Sequence, residues 1–294
     1  MSIEVRSPEL LDLVDADAQA ERLGSGCQFT EGPLWNAAAG YLLFSDIPAN
    51  QIKRWRPDTG ITNFRSPSGS SNGLTYDKQG RLIACEHGNR RVSRTEADGT
   101  IIPVAAHYNG QRLNSPNDVV VKSDGSIYFT DPPYGIMDDD GEIKGQELGF
   151  QGIYRLSADG RTLTLLADDF DRPNGICFSP DESVLYVDDT ARMHIRAFDL
   201  QPGGTLGNGR VFAEESGENG VPDGMKVDVR GNLYATGPGG VWIFDTSGKH
   251  LGTIEIPEVT ANLAWGGGDW KSLFITASTS IYRVECKVSG IQVP

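Results

Sequence analysis

The fold is decided by residues 113–135, which read LNSPNDVVVKSDGSIYFTDPPYG. A polar turn leads into a short apolar run, an Asp-Gly turn follows, and a second run precedes a Pro-Pro loop. β-Branched and aromatic residues fill both runs, and an Asp-Gly pair between such runs is typical of a tight hairpin. The segment therefore predicts two antiparallel strands, of which the first is introduced by the polar residue Asn117.

The same unit recurs six times, with copies roughly 40 to 58 residues apart. Each copy opens with Asn, Asp or Glu before an apolar strand. The openings are EGPLW at 31–35, NGLTY at 72–76, NDVVV at 117–121, NGICF at 174–178, DGMKV at 223–227 and NLAW at 262–265. A turn and two further strands follow in every copy, and a fourth strand follows in the first five. Six such meanders predict an all-β fold, a six-bladed β-propeller with four-stranded antiparallel blades.

The sixth copy has no fourth strand of its own before the sequence ends. We expect residues 20–23 to supply it, because an N-terminal strand that closes the last blade would hide two sheet edges. Residues 1–294 are thus predicted to form a single propeller domain. Residues 1–19 would be an N-terminal extension, in which Ser7 and Pro8 favour the start of a short helix over residues 7–13.

Composition narrows the function classes. A formal net charge of −14 argues against nucleic acid as a partner, because phosphates require a basic surface. No run of 18 apolar residues is present, so no membrane partner is expected, and the first residues lack an apolar signal segment. These features predict a cytoplasmic protein, a monomer or small homo-oligomer, and the wide spacing of the four cysteines predicts free thiols.

The first strand of each propeller blade lines the central channel, so the six opening residues should form a ring at one mouth of it. They are Glu31, Asn72, Asn117, Asn174, Asp223 and Asn262. Any one of them alone fits a turn residue, but turn chemistry would equally accept Ser, Gly or Lys at six positions in register. Two carboxylates gathered among amides require a counterion. Because the donors are all oxygens, the sequence predicts one divalent cation, Ca²⁺ first, then Mn²⁺ or Mg²⁺, with Zn²⁺ able to bind but not selected.

Several motifs in order resemble the gluconolactonase/regucalcin family of six-bladed propeller lactonases. They are EGP at 31–33, RLNSPND at 112–118, TDPPYG at 130–135, PNG at 173–175 and PDG at 222–224. The resemblance extends from about Glu31 to about Trp265. It implies a single metal at the channel mouth, with Glu31, Asn117, Asn174 and Asp223 as near ligands, and with Asn117 facing the substrate in some members.

The resemblance also implies a chemistry for this site. The expected activity is metal-dependent hydrolysis of a sugar lactone to the aldonic acid, with Asp223 as the general base that activates water. Sugar hydroxyl groups would be held by polar residues beside the ring. The candidates are Asn72, His87, Arg112, Asp131 and Tyr134.

Two alternatives stay open at this point. The same architecture and a similar ligand set occur in diisopropyl-fluorophosphatase-like enzymes, so a phosphotriesterase or another ester hydrolase fits. A non-catalytic calcium-binding propeller fits as well, although carboxylates concentrated in the channel favour an enzyme. The long insertion at residues 132–150 interrupts the repeat, and its length suggests a lid over the channel mouth.

Overall fold

Six four-stranded antiparallel sheets form the blades of the protein in its computed structural model, which describes residues 2–293. The predicted six-bladed propeller is therefore confirmed. Strands β1 (Ile3–Val5) and β2 (Glu21–Ser25) come first in the chain. Blade 1 comprises β3 (Thr30–Asn36), β4 (Tyr41–Asp46), β5 (Gln51–Arg56) and β6 (Gly60–Arg65), and blade 2 comprises β7 (Ser71–Tyr76), β8 (Leu82–Glu86), β9 (Arg91–Thr95) and β10 (Ile101–Ala105).

The remaining blades follow the same order, from inner to outer strand. A small hairpin, β11 (His107–Tyr108) and β12 (Gln111–Arg112), precedes blade 3. Blade 3 comprises β13 (Val119–Val121), β14 (Ile127–Asp131), β15 (Gln151–Leu156) and β16 (Leu163–Phe170), and blade 4 comprises β17 (Pro173–Phe178), β18 (Val184–Asp189), β19 (His194–Leu200) and β20 (Leu206–Glu214). Blade 5 comprises β21 (Met225–Val227), β22 (Leu233–Gly237), β23 (Gly240–Phe244) and β24 (His250–Glu255), and blade 6 comprises β25 (Thr260–Gly266), β26 (Ser272–Ala277) and β27 (Ser280–Glu285).

The N-terminal segment closes the ring. β2 pairs antiparallel with β27 as the outer strand of blade 6, as the sequence predicts. β1 adds a fifth strand to blade 5 through β24, which the sequence analysis did not foresee. Between them, Pro8–Asp12 form a 3-10 helix whose Leu10 is fully buried, with Leu13, in the core shared by blades 5 and 6.

Apolar side chains fill the spaces between neighbouring blades. Aromatic pairs bridge several of these interfaces. Trp35 of blade 1 stacks on Phe274 of blade 6 with ring centroids 5.1 Å apart, and Tyr234 of blade 5 meets Trp265 edge-on at 4.9 Å. Such pairs add to the burial of apolar area, so each blade is stabilised by both neighbours.

The inner strands carry an irregularity close to the ring positions. The pairing register shifts between Glu31 and Leu34 in β3 and between Ser71 and Leu74 in β7. The same shift occurs in β17 between Pro173 and Ile176. A β-bulge re-aims side chains and bends its strand, so Glu31-Gly32 in β3 and the Asn-Gly pairs in β7 and β17 lie in bulges and not in hairpin turns.

The insertion at residues 132–150 connects β14 to β15. It contains a 3-10 helix over Tyr134–Ile136 and an isolated bridge between Met137 and Ile143. Arg90 fastens it to blade 2 by donating from Nη1 to the carbonyl of Gly145 at 3.0 Å. Within residues 2–293, no helix has the length and apolar character that crossing a membrane requires.

Candidate active site

The six opening residues of the blades lie at one end of the inner strands. Five of them are at most 4% exposed; Asp223 is partly exposed as a residue, but the Oδ1 atom of its carboxyl group is buried. Backbone hydrogen bonds join neighbouring blades at this level. The Gly73 amide donates to the Asn117 carbonyl at 2.8 Å, and the Gly224 amide donates to the Ala261 carbonyl at 2.7 Å. The ring positions are thus fixed to one another through the main chain.

Glycine follows four of the ring residues because the blades approach closely there. A Cβ atom on Gly32 would lie 2.0 Å from the Asn72 carbonyl oxygen, and one on Gly175 would lie 2.0 Å from the Asp223 carbonyl oxygen. No side chain fits at such distances. These glycines therefore set the spacing between adjacent blades at the channel mouth.

Hydroxyl groups at the ends of the second strands also tie the ring together, and the sequence analysis missed them. Ser45 donates to the carbonyl of Asn72 at 2.7 Å, across to the next blade. Thr130 donates in the same way to the carbonyl of Asn174 at 2.6 Å. A partial signal for these residues exists in the sequence, because five of the six second strands carry a polar residue at their next-to-last position. The five are Ser45, Thr130, Asp188, Thr236 and Thr276, while Cys85 occupies this position in blade 2.

The orientation of the Asn174 amide is determined by its neighbours. Thr190 Oγ1 donates to the Pro222 carbonyl at 2.7 Å, so this hydroxyl accepts the hydrogen bond from Asn174 Nδ2 at 3.0 Å. Because Nδ2 is engaged on this side, Oδ1 is the atom of the Asn174 side chain that remains available as a ligand. Thr190 is therefore a positioning residue that sequence reasoning did not identify.

The two carboxyl groups of the ring, Glu31 and Asp223, are neighbours, and the charge of Glu31 acts on the pKa of Asp223. Burial raises the pKa of Glu31, while the Gly32 amide, which donates to its Oε2 at 2.6 Å, opposes that rise. Burial also raises the pKa of Asp223 well above its usual range, and the negative charges of Glu31 and Asp188 raise it further. Two buried acids held together in this way are stable when a proton or a cation offsets their repulsion.

The donor set of the ring suits a hard cation. Among residues 2–293, no group of three or more His, Cys, Asp and Glu side chains is arranged to hold a metal, so carboxylates alone do not build the site. Amide oxygens must complete it. Asp223 Oδ1 and Asn72 Oδ1 are buried and have no hydrogen-bond partner in the described part of the chain. Unpaired buried oxygens of this kind require a cation or a hydrogen-bond donor from a ligand.

Three predicted sugar-binding residues lie beside the ring. Asn72 belongs to it, and His87 contacts Asn72, with Nε2 3.4 Å from Asn72 Nδ2. Tyr134 extends from the insertion towards Thr190, and the charge of Asp223 acts on its phenol. Burial raises the pKa of this phenol, whose oxygen has no partner among the described residues, so it can serve a ligand as a neutral hydroxyl.

Two other predicted sugar-binding residues lie elsewhere. Asp131 is fully buried, and its Oδ2 accepts from the Asn114 amide at 2.8 Å, so it orders the loop that precedes Asn117. Arg112 is exposed on β12, where Nη2 donates to the Asn89 carbonyl at 3.2 Å. Neither position favours contact with a ligand in the ring. The sequence places both residues near the ring motif but does not show which way their side chains point.

The opposite end of the channel has a different character. A cavity of about 460 Å³ lies there, lined mainly by apolar residues such as Leu34, Val121 and Val227. The C-terminal residues 291–293 line the same cavity. The carboxyl and amide groups of the ring do not line this cavity, so it is separate from the candidate site.

Comparison with known proteins gives a consistent result. Residues 29–279 match the family described as the SMP-30/Gluconolactonase/LRE-like region. A gluconolactonase of Zymomonas mobilis is 37% identical over 97% of this chain and 86% of its own length. The structure of a gluconolactonase from Xanthomonas campestris superposes with a TM-score of 0.89 at 35% identity, covering 97% of this chain and 95% of that one.

A more distant structure shows the same fold. Regucalcin of Agrobacterium tumefaciens, described as a calcium-binding protein, has a TM-score of 0.79 at 22% identity, over 94% of this chain and 97% of that one. The family match covers most of the residues that build the blades and includes every position of the ring. This chain belongs to the SMP-30/gluconolactonase/LRE-like family of β-propellers.

Proposed function

We propose that this protein hydrolyses sugar lactones to aldonic acids at the channel mouth, with one divalent cation bound in the ring. The observation that carries the proposal is the convergence of two buried carboxyl groups, Glu31 and Asp223, with amide oxygens around them. A gluconolactonase that is 37% identical over nearly the whole chain supports the same reaction class. The enzyme is thus a hydrolase that acts on carboxylic ester bonds.

The residues that would hold the cation are Glu31, Asn117, Asn174 and Asp223. Carboxylate and amide oxygens are the donors that Ca²⁺ prefers, and Mg²⁺ or Mn²⁺ accept the same set. Asn174 is oriented for this role by Thr190, and Asn117 is buried in the ring. When bound, the cation would supply the positive charge that polarises the lactone carbonyl and lowers the pKa of the attacking water.

In the reaction, Asp223 acts as the general base, which requires its carboxylate form; a bound cation would favour that form by offsetting the repulsion from Glu31. Its unpaired Oδ1 takes the proton from the water whose oxygen attacks the lactone carbonyl carbon. The bond between that carbon and the ring oxygen then breaks, and the ring oxygen takes the proton from Asp223. The product is the open hydroxy acid. Asn72 and Tyr134 border this position and are suited to bind sugar hydroxyl groups.

The first test measures acid release from glucono-1,5-lactone in a pH-stat, with Ca²⁺ present and after EDTA treatment. We expect turnover above the spontaneous rate with Ca²⁺ and its loss with EDTA. A panel of C5 and C6 aldonolactones then ranks the substrates. If none of them is hydrolysed above background, the lactonase is excluded. Turnover of a phosphotriester alone would point to the second hydrolase class, and Ca²⁺ binding without any turnover would point to a binding protein.

The second test distinguishes the role of Asp223 as a general base from its role as a metal ligand. Asp223→Asn keeps an oxygen donor but removes the basic carboxylate. We expect the variant to bind Ca²⁺ in calorimetry while its kcat falls by a factor of at least about 100, since general base catalysis contributes about 10²–10⁴-fold. A variant that binds Ca²⁺ and turns over normally would show that Asp223 is not the base.

A further inference from the structure

Asn72 and His87 form a buried pair at the edge of the ring. Asn72 lies in the inner strand β7 and is 3% exposed, while His87 directly follows β8 and is 6% exposed. The Nδ2 atom of Asn72 lies 3.4 Å from the Nε2 atom of His87. His87 has no part in the reaction proposed above, and its contact with Asn72 is not explained by that reaction.

The chemistry of the two groups fixes the direction of the hydrogen bond. An amide nitrogen only donates, so His87 Nε2 must accept, and its imidazole must be neutral with the proton on Nδ1. Burial lowers the pKa of His87 to about 4, in agreement with a neutral ring at physiological pH. The direction of this bond also decides which atom of the Asn72 amide is left for a ligand.

That atom is Oδ1, which is buried and unpaired within residues 2–293. The position of Asn72 in the ring is set on both sides. Its carbonyl packs against Gly32, next to Glu31, and the following residue, Gly73, donates to the carbonyl of Asn117 at 2.8 Å. Asn72 Oδ1 is therefore a fixed hydrogen-bond acceptor without a donor, and a hydroxyl group of a sugar can supply that hydrogen bond.

The histidine is held against rearrangement by the insertion. A Cβ atom on Gly135 would lie 2.6 Å from the Cβ atom of His87, so the insertion packs directly over this side chain. Gly135 is itself anchored, because its amide donates to Ser115 Oγ at 2.8 Å. The loop therefore restricts movement of the imidazole, whose Nε2 contacts Asn72 Nδ2.

We propose that His87 is a positioning residue that holds the Asn72 amide with Oδ1 towards the channel mouth, as the acceptor for a hydroxyl group of the substrate. This inference rests on the proposed lactone hydrolysis and refines it. It states that the site selects polyhydroxylated lactones over bare ones through an oriented acceptor. Loss of one such hydrogen bond to the substrate changes binding by about five- to tenfold.

The direction of the hydrogen bond can be measured without any turnover. The chain has four histidines, His87, His107, His194 and His250, so ¹⁵N-histidine NMR spectra are assignable by single substitutions. At neutral pH we expect His87 as the neutral tautomer with its proton on Nδ1. A proton on Nε2 would overturn the proposal, because His87 would then donate to Oδ1 and the amide nitrogen would face the mouth.

The kinetic test compares glucono-1,5-lactone with δ-valerolactone, which has no hydroxyl groups. His87→Phe keeps a ring but removes the acceptor, and His87→Gln restores an acceptor through Oε1. We expect His87→Phe to raise KM for glucono-1,5-lactone about five- to tenfold, with kcat, Ca²⁺ affinity and the KM for δ-valerolactone nearly unchanged. His87→Gln should recover most of the loss.

The outcomes separate this inference from the function on which it rests. If the wild-type protein hydrolyses neither lactone, the proposed function fails whatever the NMR result. If it hydrolyses both and His87→Phe affects them equally, or lowers the Ca²⁺ affinity, His87 supports the fold or the metal and the positioning role is wrong. An unchanged KM for glucono-1,5-lactone in His87→Phe would overturn it as well.

Discussion

Single hydroxyl and carboxyl groups decide how the ring residues present their oxygens. Asn174 offers Oδ1 because Thr190 receives its Nδ2, and Thr190 in turn donates to the Pro222 carbonyl. Side chains that orient metal ligands commonly change metal affinity by about 10- to 100-fold when removed. Thr190 should therefore influence the proposed cation site although Asn174, and not Thr190, is its proposed ligand.

Thr190→Val tests this relay. Valine has nearly the same shape but neither donates nor accepts, so Asn174 loses the partner that orients it. We expect Ca²⁺ affinity, measured by isothermal titration calorimetry, to fall about 10- to 100-fold. Thr190→Ser retains the hydroxyl and serves as the control, with affinity near that of the wild type. Equal affinities in all three proteins would contradict the relay.

Another buried acid, Glu215, affects stability and not the proposed chemistry. Glu215 is 3% exposed, and neither of its carboxyl oxygens has a partner in the described part of the chain. Burial raises the pKa of Glu215 to about 8, so the folded protein keeps this carboxyl protonated where the unfolded chain ionises it. Its contribution to stability is complete below about pH 4.5, the ordinary pKa of Glu, and is lost as the pH rises through about 8.

Glu215→Gln, which stays neutral at every pH, reports that contribution. As the pH rises from 5 to 8, the wild type should lose stability relative to this variant. We expect the difference between their free energies of unfolding to change by up to about 1.4 kcal/mol per pH unit. Urea denaturation at a fixed Ca²⁺ concentration measures the difference. Glu214→Gln makes the same change at the exposed neighbour and serves as the matched control. A constant difference for Glu215→Gln would mean that Glu215 is ionised in the folded protein.

At the scale of the strand, the glycine after each ring residue serves packing between blades. Gly175 lies in β17, where a Cβ atom would meet the Asp223 carbonyl oxygen at 2.0 Å. This contact joins blades 4 and 5 at the site itself. Neither backbone can yield without moving its own ring residue, Asn174 or Asp223.

Gly175→Ala should therefore destabilise the protein and disturb the site together. We expect a loss of about 2–4 kcal/mol in the free energy of unfolding and a lower Ca²⁺ affinity. Gly268→Ala is the matched control, because a Cβ atom on Gly268 would meet no atom within 4 Å. Differential scanning calorimetry with and without Ca²⁺ measures both effects. If the two variants melt alike, the blades are not in close contact at Gly175.

The inner strands show which structural features could be predicted from the sequence and which could not. Alternation and turn glycines predicted the blades, and the common offset predicted which residue of each inner strand reaches the ring. The bulges in β7 and β17 could not be predicted, because Asn-Gly fits a turn equally well when only local sequence is read.

Hydrogen bonds between neighbouring blades could not be predicted from the sequence either. Thr130 donates to the Asn174 carbonyl across 44 residues, and this pairing exists only once the blades stand side by side. The sequence also does not show in which direction a loop side chain points. Arg112 and Asp131 belong to the sequence motifs at 112–118 and 130–135, next to the ring residue Asn117. In the structure, however, Asp131 binds its own loop and Arg112 is exposed.

For the whole molecule, the decisive contact joins the two ends of the chain. β2 pairs with β27, so blade 6 is completed by residues far from it in sequence, and the ring has no open edge at this junction. Leu10 and Leu13, which precede β2, are buried in the core between blades 5 and 6. A propeller closed in this way needs all six blades in place before the carboxyl groups of the ring can converge.

Removal of residues 2–25 tests the closure. The variant loses β2 and the buried leucines and exposes the edge of β27, which can pair with another chain. We expect a lower Tm, aggregation seen by light scattering after size-exclusion chromatography, and loss of tight Ca²⁺ binding. Removal of residues 2–5 takes away only β1, which is added to an already complete blade 5, and should leave a dispersed protein that binds Ca²⁺. If both proteins stay dispersed with the same Tm and affinity, the site does not depend on closure, and five complete blades with a three-stranded sixth suffice to hold Glu31 beside Asp223.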